Sequence, residues 1–225
     1  MKMKQIDGNY LDLSQFPKLM MHSTKENSFT KYIVDNEINK NIWYDELLEN
    51  LSDNSVIVDA GANVGLFTLY MLPKIGNVYC IEPMLEHVEV LLSLPFTGNV
   101  WMGALSNKDG VTSFNIENSN TTMNSINESG EVSVNCMTLN SFFKSQNIKN
   151  VDLLKLDIEG GEELVINQDP TVDESLLKCK LVFIETHPEP WGNCNEKELV
   201  KKMESLNFKT KVGKREHSFY FINQN

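Results

Sequence analysis

The sequence predicts an α/β domain built on a mostly parallel β-sheet that finishes with an antiparallel strand. Three observations carry this. Short apolar runs at residues 55–60, 77–82, 99–105, 151–157 and 181–187 read as strands, and several are continuously apolar, as strands covered on both faces are. Helical patterns at 64–72, 85–94, 139–146, 162–166 and 196–206 fill the gaps, and such alternation means parallel strands joined by right-handed crossovers. The C-terminal "FKTKVGKREHSFYFINQN" reads as two strands about a turn at 213–216, an antiparallel hairpin that closes the sheet.

Taken in order, residues 1–50 are less regular, with one helical pattern at 41–51, and are expected to form an extension or cap before a single domain at 51–225. A chain of 225 residues buries one sizeable core and is short for two. "GVTSFNI" and "VSVNCMTL" are β-like segments bracketing "ENSNTTMNSINESGE", a polar stretch that reads as a solvated connection or a lid.

Twenty Lys and Arg against thirty-one Asp and Glu leave a net charge of −11. That charge repels phosphate backbones and anionic lipid, so nucleic acid is a poor partner. The opening "MKMKQIDGNYLDLSQFPKLMMHSTKEN" lacks the apolar core of a signal peptide, and no window reaches membrane-span length. The chain is therefore expected to be cytoplasmic. Cys80, Cys136, Cys179 and Cys194 form no CxxC pair and are expected to be buried thiols.

The first strand runs into "DAGANVG", which places Asp59, Gly61, Asn63 and Gly65 at its carboxyl end, where open parallel sheets bind ligands. Gly61 permits a turn that a Cβ would obstruct, and Gly65 allows close approach of the following helix. A dinucleotide fingerprint reads GxGxxG, with pyrophosphate on the helix N-terminus, and that spacing fails here. Glu82 ends "NVYCIE", 23 positions after Asp59, where a carboxylate can accept both hydroxyls of a ribose. Ribose without pyrophosphate, beside several carboxylates, fits S-adenosylmethionine, which carries cationic sulfonium and ammonium groups. Ala104, within the "GAL" that ends the third strand, offers a small apolar surface for adenine.

At this point "VIVDAGANVGLFTLY", "CIEP", "NVWMGALSNKDGVTSFNI", "MTLNSFF" and "VDLLKLDIEGGEELVI" together resemble the FkbM-like S-adenosylmethionine-dependent methyltransferases, over about residues 40–190. The resemblance implies a class I methyltransferase (Rossmann-like) fold, a seven-stranded sheet with its last strand antiparallel and helices on both faces. It also implies methylation of hydroxyls, often on sugars or natural products, with Asp59, Gly61, Asn63, Gly65 and Glu82 as the cofactor set. Asn140 departs from the family, which usually has Asp there.

"KLDIEGGEE" gathers Lys155, Asp157, Glu159, Glu162 and Glu163 at the end of the fourth strand, beside the transferring methyl in a class I sheet. Strand alternation turns Lys155, Asp157 and Glu159 to one face, though the bend at Gly160 can redirect the last. Asp157 is expected to touch the cofactor, and Asp157 and Glu159 to serve the reaction. Glu163 reads as a surface acid. "LVFIETHPEPW" ends the fifth strand with Glu185 and His187, and a histidine titrating near neutrality suits removal of a hydroxyl proton. His187 is the expected general base, with Lys155 or Asp157 as alternatives. Asp157 and Glu185 are the pair for a magnesium-like cation if one is used. His22, His87 and His217 read as surface or packing residues, and Trp43, Tyr44 and Trp191 as core or pocket-wall aromatics.

The function that follows is methyl transfer from S-adenosylmethionine to a hydroxyl of a small molecule, a sugar or glycoconjugate. The alternatives are a nitrogen or protein acceptor, and a non-catalytic binding module that retains the fold.

Overall fold

The computed structural model describes residues 15–23, 51–71, 75–115, 125–126, 132–189 and 192–225. The helical pattern at 41–51 lies outside them but for Leu51, as do Trp43, Tyr44, Trp191 and most of the polar stretch 117–131.

A seven-stranded sheet is built from β1 (Ser55–Ala60), β2 (Ile75–Glu82), β3 (Gly98–Met102), β8 (Val151–Leu156), β9 (Cys179–Glu185), β10 (Phe208–Val212) and β11 (Ser218–Asn223). Its spatial order is β3-β2-β1-β8-β9-β11-β10. Strands β3, β2, β1, β8 and β9 pair in parallel, and β11 runs antiparallel to both β9 and β10. This is the mostly parallel sheet with an antiparallel C-terminal strand that the sequence predicts, and the chain reverses beside β1, opening a crevice there.

Alternation along β1 explains the two cores. Ile57 points to one face and Val58 and Ala60 to the other. The first face buries α1 (Pro17–Ser23), α2 (Leu66–Met71) and α3 (Leu85–Leu91) through Leu19, Leu69 and Leu91. The second buries α4 (Leu139–Ser145), a π-helical segment at Glu163–Gln168, α5 (Val172–Leu176) and α6 (Glu196–Ser205) through Phe142, Ile166, Leu176 and Met203. Each fully buried side chain of this size contributes about 1.5–3 kcal/mol, so helices cover both faces because both present apolar side chains to be buried. All four cysteines are free and buried.

Three elements differ from the sequence reading. The run at 99–105 breaks at Gly103, and β4 (Ala104–Leu105) leaves the main sheet for a small second one. There it joins β5 (Gly110–Asn115), β6 (Ser125–Ile126) and β7 (Val132–Met137) in the order β4-β7-β5-β6. The expected helix at 162–166 is wound as a π-helix, and the short α5 was not anticipated. Of the N-terminal extension, the described part packs into the first core through Phe16 and Leu19. Among the described residues no helix is long and apolar enough to cross a membrane.

Candidate active site

The carboxyl ends of β1, β2, β8 and β9 lie side by side, which brings four chain segments together. After β1, Gly61 has φ +74°, and a Cβ there would fall on the backbone carbonyl of Asp157. The loops after β1 and β8 therefore touch main chain to main chain, which only glycine permits. Gly65, at φ +85°, leaves room for Leu91 and Leu94 of the segment behind it.

The amides of this loop are already committed. Gly61 N and Ala62 N donate to Ile81 O at 3.0 and 3.1 Å, and Gly65 N donates to Ala62 O at 2.9 Å. Asn63 N donates to Glu82 Oε2 at 2.9 Å, and Val64 N to Asn63 Oδ1 at 2.7 Å. A pyrophosphate cradle needs outward N–H groups, and these point into the chain. Glu82 is buried, and its Oε1 accepts from Met84 N at 2.9 Å and faces His87 Nδ1 at 3.1 Å. Within these contacts Oε2 takes one donor, which leaves that oxygen acceptor capacity for a ribose hydroxyl. Ala104 is buried beside Phe114 and Val134, and Gly103 N donates to Glu82 O at 3.2 Å, bringing this strand end alongside Glu82.

Beneath the loop lies a buried charge network. Lys155 Nζ donates to Gly61 O at 2.9 Å and sits 3.3 Å from both Asp59 Oδ1 and Asp157 Oδ2. It also lies 5.5 Å from the Phe67 ring centroid, where an ammonium is attracted by the π-face. Burial opposes the Lys155 charge, but the Asp157 and Asp59 carboxylates outweigh it and hold its pKa above the usual lysine value. Asp59 is fully buried and accepts from Thr68 Oγ1 at 2.8 Å, which ties β1 to α2.

Beyond β8 the chain turns at Glu159, itself at φ +53°, and three ligand-type groups converge. One donor atom each from Asp157, Glu159 and His187 lie within 4.8 Å of one another. His187 Nδ1 is 3.1 Å from Glu162 Oε1, and Nε2 is 3.3 Å from Glu159 Oε2. Burial, then Asp157, push the Glu159 carboxyl up to about 8, against the pull of His187. Burial works against charge on His187, but the Glu162 hydrogen bond and the neighbouring acids raise it to about 10. Glu185 stands apart from this trio: Arg215 Nη1 donates to its Oε2 at 2.7 Å. Burial and Asp157 nonetheless raise it to about 7. The acids able to share a cation are therefore Asp157 and Glu159 with His187, in place of the expected Asp157 and Glu185.

These shifts set a sign for stability against pH. Glu159 and Glu185 bind protons in the native state above the 4.5 at which the unfolded chain releases them, and His187 does so above 6.5. All three contributions are complete at low pH and are lost as pH rises, the acids through about 7 and 8 and the histidine through about 10. Thermal scans of the ligand-free protein are expected to show a falling Tm from pH 6 to pH 10, with Glu159→Gln flattening the portion below about pH 8. A Tm that climbs over that interval contradicts the assignment.

Several residues to which the sequence assigned no functional role have definite partners here. Glu162 is fully buried and accepts from Ile158 N and Gly160 N as well as facing His187; the "EGGE" spacing, which folds an acid back over a glycine turn, was the available signal. His87, read as a surface or packing residue, is buried against Glu82, five positions after it in α3. His217 Nδ1 lies 2.8 Å from Glu196 Oε1, and Arg215, the sole arginine of the sequence, reaches Glu185 from the hairpin turn. Glu163 accepts from Asn167 Nδ2 and Asn195 N at 2.7 and 2.9 Å, a local structural use. Asn140 is buried in α4 and donates to Glu174 Oε2 at 3.0 Å, a bond that an ionised Asp cannot donate.

Comparison with known proteins bears on this geometry. Residues 59–210 match the methyltransferase FkbM domain. Methyltransferase 1 of Beauveria bassiana (strain ARSEF 2860) is 28% identical over 159 residues, 56% of this chain and 63% of that relative. The chain thus spans less than two thirds of the length of that curated relative. Among solved structures, magnesium protoporphyrin IX methyltransferase from Synechocystis PCC 6803 with bound SAM aligns over 95% of this chain and 98% of its own, at 11% identity and a TM-score of 0.48. An rRNA methylase from Streptococcus thermophilus aligns over 84% and 96%, at 10% identity and a TM-score of 0.48. The domain match covers most of the chain and takes in both the glycine loop and the acid cluster, and on that ground the chain belongs to the FkbM methyltransferase family.

Proposed function

We propose that the chain transfers a methyl group from S-adenosylmethionine to a hydroxyl of a small molecule, a sugar or glycoconjugate. The donor set fits that cofactor: a carboxylate with open acceptor capacity at Glu82, no outward amides for pyrophosphate, and carboxylates at Asp157 and Glu159 for a cationic group. When bound, S-adenosylmethionine supplies an electrophilic methyl on a sulfonium. Glu82 would hold the ribose, Gly61, Asn63 and Gly65 shape the loop that would surround it, and Ala104 would offer a small apolar surface to the adenine. Asp59 and Lys155 hold that loop from below, since both are buried and spent on each other, on Thr68 and on Gly61.

The observation that supports a hydroxyl acceptor is His187, whose Nε2 lies 3.3 Å from Glu159 Oε2 in the cluster with Asp157. A hydroxyl oxygen must shed its proton as it attacks carbon, and an imidazole placed there takes it. With the cofactor bound, His187 would lose its proton more readily, because a nearby positive sulfonium would disfavour the imidazolium. His187 is thus the base, and Asp157 and Glu159 supply the negative field. The trio also supports a second reading, in which the same three side chains hold a divalent cation that lowers the pKa of the acceptor.

The test is mass spectrometry on a panel of glycans and metabolites incubated with deuteromethyl-labelled S-adenosylmethionine, with and without chelator. Label on a sugar hydroxyl, insensitive to chelator, is the expected result. Label on nitrogen or on protein overturns the acceptor, no label together with no calorimetric binding of the cofactor favours a binding module, and loss on chelation restored by magnesium favours the cation. Glu82→Ala is expected to weaken cofactor binding by about 1.5–3 kcal/mol, the range for a charge-assisted hydrogen bond, and unchanged binding by calorimetry removes Glu82 from the ribose site.

A further inference from the structure

Glu162 has no part in binding or proton transfer as described above, yet it is among the most completely enclosed carboxylates at the site. Its Oε2 accepts from Gly160 N at 3.0 Å. Its Oε1 accepts from Ile158 N at 2.9 Å and faces His187 Nδ1 at 3.1 Å. A carboxylate that takes two backbone N–H groups is an acceptor on both oxygens, so the ring nitrogen facing it carries the hydrogen. That leaves the lone pair of the neutral ring on Nε2, on the side where Asp157 and Glu159 gather.

From this geometry we infer that Glu162 is a positioning residue: it fixes the Nδ1–H tautomer and ring orientation of His187, so that Nε2 is the nitrogen that meets the acceptor. The inference rests on His187 being the base. Glu162 does two jobs with one side chain. It ties the main chain of the turn at 158–160 and sets the ring, so the turn that carries Glu159 and the imidazole it faces are held from one buried point. The chain order explains how. Glu162 stands at the entry of the π-helical segment, two residues past Gly160, and His187 follows the end of the neighbouring strand β9, so the parallel pairing of β8 and β9 delivers the ring to the acid.

The experiment is proton and nitrogen NMR of the full chain labelled with 15N-histidine, together with turnover on the acceptor found by the labelled-cofactor screen. A strong Nδ1–H to carboxylate bond moves its proton far downfield of the amide envelope. His87 and His217 also place Nδ1 against carboxylates, so the His187 signal is identified by its loss in His187→Gln. In Glu162→Gln that resonance is expected to return toward the amide envelope, with turnover down about 10- to 100-fold, as for other groups that orient a functional histidine. The affinity for S-adenosylmethionine is expected to be unchanged by calorimetry. Glu162→Asp, which restores the charge on a shorter stem, is expected to recover part of the shift and part of the turnover.

A His187 resonance unmoved in Glu162→Gln overturns the inference, as does unaltered turnover in that variant. Failure of the underlying reading has a different signature: the downfield resonance is present and sensitive to Glu162, while His187→Gln turns over normally. Should Glu162→Gln not fold, the wild-type resonance alone decides, since its absence from the downfield region also overturns the inference.

Discussion

Replacing Lys155 with methionine is expected to destabilise the protein by about 3–5 kcal/mol, the cost of leaving one member of a buried ion pair uncompensated. Asp59 has no exposed surface and its Oδ1 faces the Lys155 ammonium at 3.3 Å, so the variant buries either a bare carboxylate or a proton it must recruit. For a chain of this size the Tm falls by on the order of 10 °C. The loss shrinks toward low pH, where Asp59 neutralises itself, and Lys155→Met combined with Asp59→Asn regains much of the stability by removing the orphaned charge. The single variant also loses the bond to Gly61 O, so cofactor affinity drops even at temperatures where the fold holds. Thermal scans and calorimetry read the two effects separately. A variant as stable as the parent overturns the reading of Lys155 and Asp59 as a buried ion pair that stabilises the fold.

The second large effect is on rate. His187→Ala is expected to lower turnover by about 10²–10⁴-fold, the range of a positioned general base, while binding of S-adenosylmethionine is spared because no loop amide and no Glu82 contact is touched. In the parent protein the rate is expected to rise with pH through neutrality, since His187 holds its proton up to about 10 before ligands bind and must release it to act. The variant loses that rise. Turnover retained in His187→Ala, with its pH profile intact, returns the role of base to Asp157 or to a metal-bound acceptor.

How far the site was legible follows from where its information sits. "DAGANVG" and Glu82 are local signals: a failed pyrophosphate spacing and an acid one strand later are visible in the string, and the spent amides of the loop agree with both. The hairpin was legible because two alternating runs flank a polar turn, and β10 and β11 pair as expected. The strand at 99–105 was misjudged because an apolar run does not reveal that the residues after Gly103 hydrogen-bond to a different sheet. Glu185 was misjudged because its partner, Arg215, lies 30 positions away across a turn. Glu162 was given no role of its own because an acid in an acid-rich turn looks like ordinary surface until burial is known, whereas His87, read as a surface or packing residue, is packed against Glu82.

By itself the sequence determined the layered α/β fold, the place of the glycine loop at the end of the first strand and its lack of a pyrophosphate fingerprint. These depend on periodicity and on contacts between neighbours along the chain. Only the tertiary structure decided that Lys155 is a buried pin beneath that loop, that Glu159 joins Asp157 and His187 while Glu185 does not, and that Glu162 faces the imidazole. The reason is physical: burial and charge pairing set what an ionisable group does, and both are fixed by strands that meet in space, far apart in the chain.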